Sequence, residues 1–252
     1  MVEVNAGHRR PNTVISVNRV VELRSWTYDP STSSVRIGAG VTYSELMEPP
    51  LADLLPALAE ASRTVGSPQI RHAGTLGGNL GTCSPAGDGL PVLSALDAVV
   101  HLMSTSGERS LSIHDFMVGV KRTARRPDEL IAAVTLPVLS GWQGYTKVGV
   151  RNAMVIALAS ACLAADTASS SVRLALGSVG PTILRCADAE AHAIASVDFV
   201  SGSVSSSSVK RFGELAADAS RPIDDHRASA DYRRHCVGVL ASRLLRRAFP
   251  NG

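Results

Sequence analysis

Aromatic side chains make up only 4% of this 252-residue sequence, which argues against stacking platforms for single-stranded nucleic acid. The four cysteines, Cys83, Cys162, Cys186 and Cys236, stand 79, 24 and 50 residues apart. No Cys-x-x-Cys pair therefore spells a zinc or iron–sulfur site, and scattered single thiols fit a reducing cytoplasm. The histidines share no metal-ligand spacing. No run of roughly 18 apolar residues occurs, so no membrane span is expected. Met1–Asn5 offers neither the basic nor the apolar part of a secretory signal. The excess of 25 Lys and Arg over 22 Asp and Glu is too small to imply a nucleic-acid partner. The local runs Lys121–Arg126 and Arg243–Arg247 read as solvated faces.

What is present is a globular composition, 45% hydrophobic and 19% charged, with enough chain for one large domain or two modest ones. Thr13–Val17 reads as a buried strand. Leu23–Tyr28 and Ser34–Ile37 flank the turn signal Asp29-Pro30-Ser31 and read as a hairpin, ended by Gly38-Ala39-Gly40. Thr42-x-x-Glu45 is a capping box that opens a short helix, and Pro49-Pro50 stops it. Leu51, Leu54, Leu55, Leu58 and Ala59 recur at helical spacing and predict an amphipathic helix over Leu51–Ser62. Farther on come a short helix (Pro91–Leu96), strands at Ala98–Met103 and Ser110–Ile113 around a Gly107 turn, and a strand at Leu130–Leu136.

Pro137–Gly144 changes the character of the chain and marks a boundary between domains 1–139 and 140–252. In the second half, Tyr145–Val150, Val155–Ala165 and Val172–Ser178 read as strands. Asp188–Ile194, Val209–Ala219 and Tyr232–Ala248 read as helices, the last with Tyr232, Cys236, Leu240 and Leu244 on a core face. Ser201–Ser208 reads as a flexible linker. The class is α+β, an antiparallel sheet backed by helices.

The segment from Gly66 to Asp88 is rich in Gly, Ser, Thr, Asn and Pro and reads as a long loop, a kind that tends to be functional. Gly74, Gly77, Gly78 and Gly81 permit positive φ and close backbone approach, and exposed backbone N–H groups between them can form an anion-binding nest. Thr75, Asn79, Thr82 and Ser84 add short hydrogen-bonding side chains, and Asp88 is the one acid. This mixture suits a ligand with a phosphate part and a polar, sugar-like chain. It is neither a Walker loop, since no Lys-Ser or Lys-Thr follows, nor the Rossmann fingerprint.

The stretch RHAGTLGGNLGTCSPAGD resembles the second flavin-contacting segment of the FAD-binding subunits of molybdenum hydroxylases, the family of the xanthine dehydrogenase FAD subunit and the carbon monoxide dehydrogenase medium subunit. Its motif runs R-x-x-x-T-I/L-G-G-N-L/I, then S-P-x-x-D. RPDELIAAVTLP resembles the element that closes that family's FAD domain. YTKVGVRNAMVIALASACLAAD, VRLALGSVGPTILRCADAEAHAI and SADYRRHCVGVLASRLLRRA resemble its C-terminal domain.

The resemblance implies an FAD-binding domain of the PCMH (vanillyl-alcohol oxidase-like) type, followed by a smaller antiparallel-sheet-plus-helices domain. It places Thr75, Gly77, Gly78 and Asn79 against the FAD phosphates and ribityl chain. Thr82, Ser84 and Asp88 would hold the rest of the ribityl chain and the adenosine region. Leu130 or Ile131 would pack near the isoalloxazine. Lys147, in Tyr-x-Lys-x-x-x-Arg, would approach from the second domain, with a plain surface lysine as the alternative. Cys83 reads as a small buried filler. The resemblance further implies electrons arriving from iron–sulfur clusters on a small partner subunit, a molybdopterin-bearing large subunit, a heterotrimer or a dimer of heterotrimers, NAD or another acceptor such as oxygen, a purine as substrate, and a cytoplasmic setting.

One departure accompanies the match. The family's first flavin motif, A-G-G-T-D-L, stands before the part that corresponds to Met1–Asn5. The 252 residues are therefore expected to lack half of the pyrophosphate cradle, as if translation were assigned from an internal Met. Two rival readings follow: a shortened scaffold that docks partners without FAD, and a stand-alone flavin oxidoreductase, for which no acid–base pair declares itself.

Overall fold

The computed structural model describes Gly7 and residues 10–251. The sequence also reads as strand-like from its first residues, and residues 1–6, 8 and 9 lie outside that range. A helical turn α1 (Val21–Arg24) precedes the hairpin β1 (Trp26–Asp29) and β2 (Ser34–Gly38). Asp29 closes its turn by accepting from the N–H and hydroxyl of Ser31 at 2.9 and 2.6 Å, the local bonding that makes Asp a turn residue. Thr13–Val17 is not a strand. No strand among the described residues pairs with it, and Val14 and Ile15 are 60% and 84% exposed.

The capping box forms as read. Thr42 N–H donates to Glu45 Oε2 at 2.8 Å, and Glu45 N–H donates back to Thr42 Oγ1 at 3.2 Å. The predicted Leu51–Ser62 helix is two helices, α2 (Leu51–Leu54) and α3 (Pro56–Arg63). Pro56 explains the break: it has no N–H to continue α2 and is instead well placed in the first turn of α3. The long polar segment is also not a loop throughout. It contains α4 (Pro68–Ala73) and α5 (Leu76–Thr82), and α6 (Gly89–Ala95) follows.

β3 (Val99–Ser104), β4 (Gly107–Ser112), the turn α7 (Ile113–Phe116), the small hairpin β5 (Met117–Gly119) and β6 (Arg122–Thr123), and β7 (Leu130–Pro137) complete the first half. The main sheet there is antiparallel in the order β1-β2-β7-β3-β4. Its β2 and β7 bury Val35, Ile37, Val134 and Leu136 against the helices.

The second sheet has the order β11-β10-β9-β8, from β8 (Gly141–Val148), β9 (Ala159–Asp166), β10 (Ser171–Gly177) and β11 (Leu184–Arg185). Strand β9 is buried along nearly its whole length. Cys162 and Ala164 face the core shared with α3 and α6, whereas Ala161, Leu163 and Ala165 face the core of the C-terminal helices. A strand covered on both faces needs no polar alternation, which is why Ala159–Ala165 reads as a continuous apolar run.

The C-terminal helices are α8 (Ala187–Ser196), α9 (Ser206–Ala219) and α10 (Ala230–Ala248). Ser201–Ser208 is not a linker. It enters the hairpin β12 (Val197–Asp198) and β13 (Ser203–Val204), and Ser205 then caps α9 by accepting from Ser208 N–H at 3.1 Å. Serine's competence as an N-cap, rather than flexibility, accounts for it there. On α10, Cys236, Leu240 and Leu244 are buried, but Tyr232 is 48% exposed, and in that first turn it is Arg233 that packs inward, donating to Leu158 O at 2.9 Å. All four cysteines are buried and free, and burial raises the Cys83 thiol's pKa above its ordinary value.

Candidate functional site

The turn from Gly74 into α5 lies beside the segment that leaves β2. Tyr43 N–H donates to Gly74 O, Leu76 N–H to Val41 O, and Gly77 N–H to Ala39 O, at 3.0, 3.0 and 2.8 Å. Thr75 is the N-cap of α5, its hydroxyl accepting from Gly78 N–H at 3.0 Å. This geometry corrects the nest expected from the sequence: the first-turn N–H groups of α5 are already committed to protein acceptors, and none of Gly74, Gly77, Gly78 and Gly81 has positive φ. The left-handed residue is Cys83, which ends α5 at φ 47°.

The glycines serve space instead. A Cβ on Gly77 would lie 2.5 Å from Ala39 Cβ and 2.7 Å from Ala39 O, so only glycine lets α5 dock there. A Cβ on Gly78 would meet only Thr75 Oγ1, at 3.3 Å, and would otherwise project into a cavity. That cavity, about 520 Å³, is lined by Arg24, Gly40, Thr42, His72, Thr75, Gly77, Gly78, Arg125, Glu129, Leu130 and Ile131, among others. Its size falls in the usual range for small-molecule sites, roughly 300–1,000 Å³.

One end of the cavity is polar and cationic. Arg125 is fixed there by Nη1 donating to the carbonyls of Arg126 and Glu129 at 3.0 and 2.6 Å. Glu129 is tied down by Arg109, whose Nε and Nη2 reach its carboxylate at 2.6 and 2.9 Å. Those hydrogen bonds from Arg109 hold its pKa down at about 2. The other wall is apolar at Ile131, whose Cδ1 lies 3.7 Å from where a Gly81 Cβ would stand.

The residues singled out in the sequence therefore part into two groups. Thr75, Gly77, Gly78 and Ile131 line the cavity, together with Leu130, which is 54% exposed. Asn79, Thr82, Ser84, Asp88 and Lys147 do not line it. Thr82 donates to Gly78 O at 2.8 Å and Ser84 Oγ accepts from Ala86 N–H at 3.3 Å, so both brace the backbone of α5 and the turn after it. Asn79 tucks its amide against Gly87 and Gly89, where a Cβ would come within 2.5 and 2.8 Å of it, and its Oδ1 is buried without a hydrogen-bond partner among the described residues.

Asp88 and Lys147 meet each other. Lys147 Nζ donates to Asp88 Oδ2 at 2.8 Å, to Thr64 O at 2.9 Å and to Val155 O at 3.2 Å, and Tyr145 OH donates to Asp88 Oδ1 at 2.7 Å. Burial raises the Asp88 carboxyl's pKa, outweighing the opposing pull of Lys147 and Tyr145. This cluster pins β8 to the end of the α5–α6 connection. Glu60 adds a second tie from α3, accepting from Tyr145 N–H at 2.6 Å and from Arg247 at 2.9 Å. Sequence reasoning missed Arg24, Gly40, Thr42 and Arg125 on the cavity wall. Arg125 was hidden in a basic run that reads as solvated surface, and Gly40 in a signal that reads only as a strand end.

The donor set fits FAD in part. It offers a flush glycine wall, the Thr75 hydroxyl, the guanidinium of Arg125 and that of Arg24, which also bonds Glu45 Oε1 at 3.3 Å, and an apolar face at Ile131, whereas the Thr42 hydroxyl is taken up by Glu45 Oε2 at 2.6 Å. The anion would be met by side chains and not by the α5 amides. Comparisons with known proteins agree in kind. A family described as FAD binding domain in molybdopterin dehydrogenase matches residues 1–139, and one described as CO dehydrogenase flavoprotein C-terminal domain matches residues 144–248. The chain is 32% identical to the glyceraldehyde dehydrogenase medium chain of Sulfolobus acidocaldarius, over 94% of its own length and 83% of that protein's. It is also 32% identical to the nicotine 6-hydroxylase medium subunit of Paenarthrobacter nicotinovorans, over 94% and 82%. Among solved structures, carbon monoxide dehydrogenase from Hydrogenophaga pseudoflava matches with a TM-score of 0.89 and 26% identity, covering 99% of this chain and 86% of that one.

Proposed function

Because this chain belongs to the family of FAD-binding medium subunits of molybdenum hydroxylases, we propose that it holds FAD in the cavity beside α5 and works as the electron-transfer subunit of a heteromeric dehydrogenase. Residues 1–139 form the FAD-binding domain in this reading, and residues 140–252 the C-terminal domain that closes on it. The observation that carries the reading is the wall at Thr75–Gly78, where one glycine is required for packing and the next leaves the cavity open.

Thr75 would hydrogen-bond the polar chain, Arg24 and Arg125 would face the diphosphate, and Ile131 would pack against the ring system. Asn79, Thr82 and Ser84 hold the α5 backbone in place for those contacts. Asp88 and Lys147 act by locking the second domain against the first. When bound, FAD supplies the redox chemistry, taking electrons delivered from iron–sulfur clusters on a partner and passing them to an acceptor; the protein's part is position and electrostatics.

In the finer reading the iron–sulfur and molybdopterin groups sit on separate small and large subunits, NAD is the acceptor, and the assembly is cytoplasmic and of the xanthine dehydrogenase type. The purine substrate rests on the motif resemblance alone, since substrate would bind another chain. Among the described residues no helix is long and apolar enough to cross a membrane. The test is to purify the chain with its co-expressed partners, measure flavin per chain, and follow flavin bleaching on adding NADH or candidate substrates. Retained flavin that NADH reduces supports the reading. A colourless protein after exposure to excess FAD favours the scaffold instead, and retained flavin with turnover in the absence of any partner favours a stand-alone oxidoreductase.

A further inference from the structure

The turn between β6 and β7 places one cation on the cavity wall. Arg125 is exposed along that turn. An exposed arginine samples many rotamers, and a ligand that uses it must order it first. Here Nη1 is already held by two backbone carbonyls, Arg126 O and Glu129 O, at 3.0 and 2.6 Å, which leaves Nε and Nη2 for a ligand. Both carbonyls belong to the same turn, so the direction of the Arg125 guanidinium depends on how residues 126–129 are folded.

A side chain from outside the turn sets that fold. Arg109 stands on β4 and reaches across β3, where Leu102 pairs with Arg109 on one side and with Ile131 of β7 on the other. Its Nε and Nη2 grip the two oxygens of Glu129, and Nη2 also donates to Ala124 O at 2.8 Å. The buried Glu129 carboxylate in turn accepts from Arg126 N–H at 2.6 Å. Both ends of the turn, Ala124 and Glu129, are thus tied to one guanidinium. Only a planar fork meets three acceptors in a fixed geometry; a lysine ammonium is a point charge on a flexible stem. Arg109 is not among the residues that line the cavity.

We infer that Arg109 is a positioning residue for flavin binding: through Glu129 and Ala124 it sets the turn that aims Arg125 at the diphosphate. This rests on FAD occupying the cavity, as proposed above, and names a residue that never touches it. Its contribution is preorganisation, since the cation is in place before the ligand arrives.

The test titrates the full chain, stripped of flavin, with FAD at two salt concentrations and reads affinity from the quenching of flavin fluorescence. Arg125→Ala is expected to lose roughly tenfold or more, the effect of one charge-assisted hydrogen bond, and to flatten the fall of affinity with salt. Arg109→Met/Glu129→Gln removes the ion pair without leaving a bare buried carboxylate. It is expected to lose roughly threefold to tenfold, the effect of ordering one long side chain, with a flattening in the same direction. Arg109→Lys keeps the charge beside Glu129 and a folded chain, as its thermal melt checks, but not the fork, and is expected to lose affinity as the pair variant does. Combined with Arg125→Ala, neither change costs anything further, because Arg109 acts only through Arg125. Wild-type affinity in Arg109→Lys, losses that multiply on combination with Arg125→Ala, or a loss that keeps the wild-type salt dependence each overturns the inference and leaves Arg109 a role in the fold alone. Arg125→Ala that binds FAD as tightly as wild type overturns it as well. A wild-type chain that takes up no FAD refutes instead the reading on which the inference rests.

Discussion

Gly77 and Gly78 are adjacent, both near the start of α5, and their substitutions are expected to fail in opposite ways. In Gly77→Ala the new methyl would sit 2.5 Å from Ala39 Cβ and 2.7 Å from Ala39 O. Ala39 cannot easily retreat, because its N–H is bonded to Ala132 O at 2.9 Å and its carbonyl accepts from Gly77 itself. Overpacking of this kind costs about 1–3 kcal/mol, and replacing a helical glycine by alanine returns at most about 1 kcal/mol. With backbone on one side of the clash, a net loss of about 1–2 kcal/mol follows, and Tm should fall by roughly 2–8 °C.

In Gly78→Val the Cβ has only Thr75 Oγ1 within reach, at 3.3 Å. Valine is no worse a helix former than glycine, so Tm of the flavin-free protein should stay within roughly 2 °C of wild type. The γ-methyls would enter the cavity where the flavin wall is proposed, and flavin should be lost on desalting. Differential scanning calorimetry of flavin-free samples and flavin-to-protein ratios of desalted samples read the two effects separately. Gly77→Ala with wild-type Tm, or Gly78→Val with one flavin per chain, would refute the assignment of packing to one glycine and ligand space to the other.

Four further outcomes are expected. Thr75→Ala should cost about 1 kcal/mol through loss of the N-cap bond to Gly78, seen as a lower urea midpoint. Asp88→Leu or Lys147→Met should each destabilise by about 3–5 kcal/mol, because either leaves a buried partner unpaired; the Asp88→Leu/Lys147→Met double variant should lose less than the sum of the two single effects, read by chemical denaturation. Glu129, ordinarily near 4.5, is held at about 2 in the folded protein by Arg109. A carboxylate whose folded pKa is depressed adds stability that is full above its unfolded pKa and lost as the pH falls through the folded one. The Tm gap between wild type and Glu129→Gln should therefore be widest above pH 4.5 and close toward pH 2, as a pH series of thermal melts would show. Native thiol titration with a disulfide reagent should find the four buried cysteines unreactive until the chain is unfolded.

Much of the fold was legible because its signals are local. The Asp29 turn, the hairpin around it and the Thr42/Glu45 capping box each depend on residues a few positions apart, and each forms as read. What was not legible depends on distant partners or on a single residue in an ambiguous role. Pro56 splits a helix whose apolar spacing continues across it. Thr13–Val17 has strand composition but no described neighbour to pair with. Ser205 reads equally as linker or cap until the helix behind it is known.

The site divides along the same line. The family motif singled out a turn that lines the cavity, yet the packing reason for Gly77 was invisible, since Ala39 lies far away in sequence. Asp88 and Lys147 were flagged as cofactor contacts but meet across 59 residues as an ion pair between β8 and the start of α6. Arg125 reached the cavity wall only because backbone carbonyls hold it there, and no local pattern announces that.

The central claim is that the cavity between the Gly38–Thr42 segment and α5 holds one FAD. The direct measurement is the flavin-to-protein ratio of the purified chain, saturated with FAD and then desalted, in wild type and Gly78→Val. Close to one FAD per wild-type chain and close to none in the variant, at unchanged fold, is the expected result. A wild-type chain that stays colourless, or equal flavin in both proteins, would contradict it.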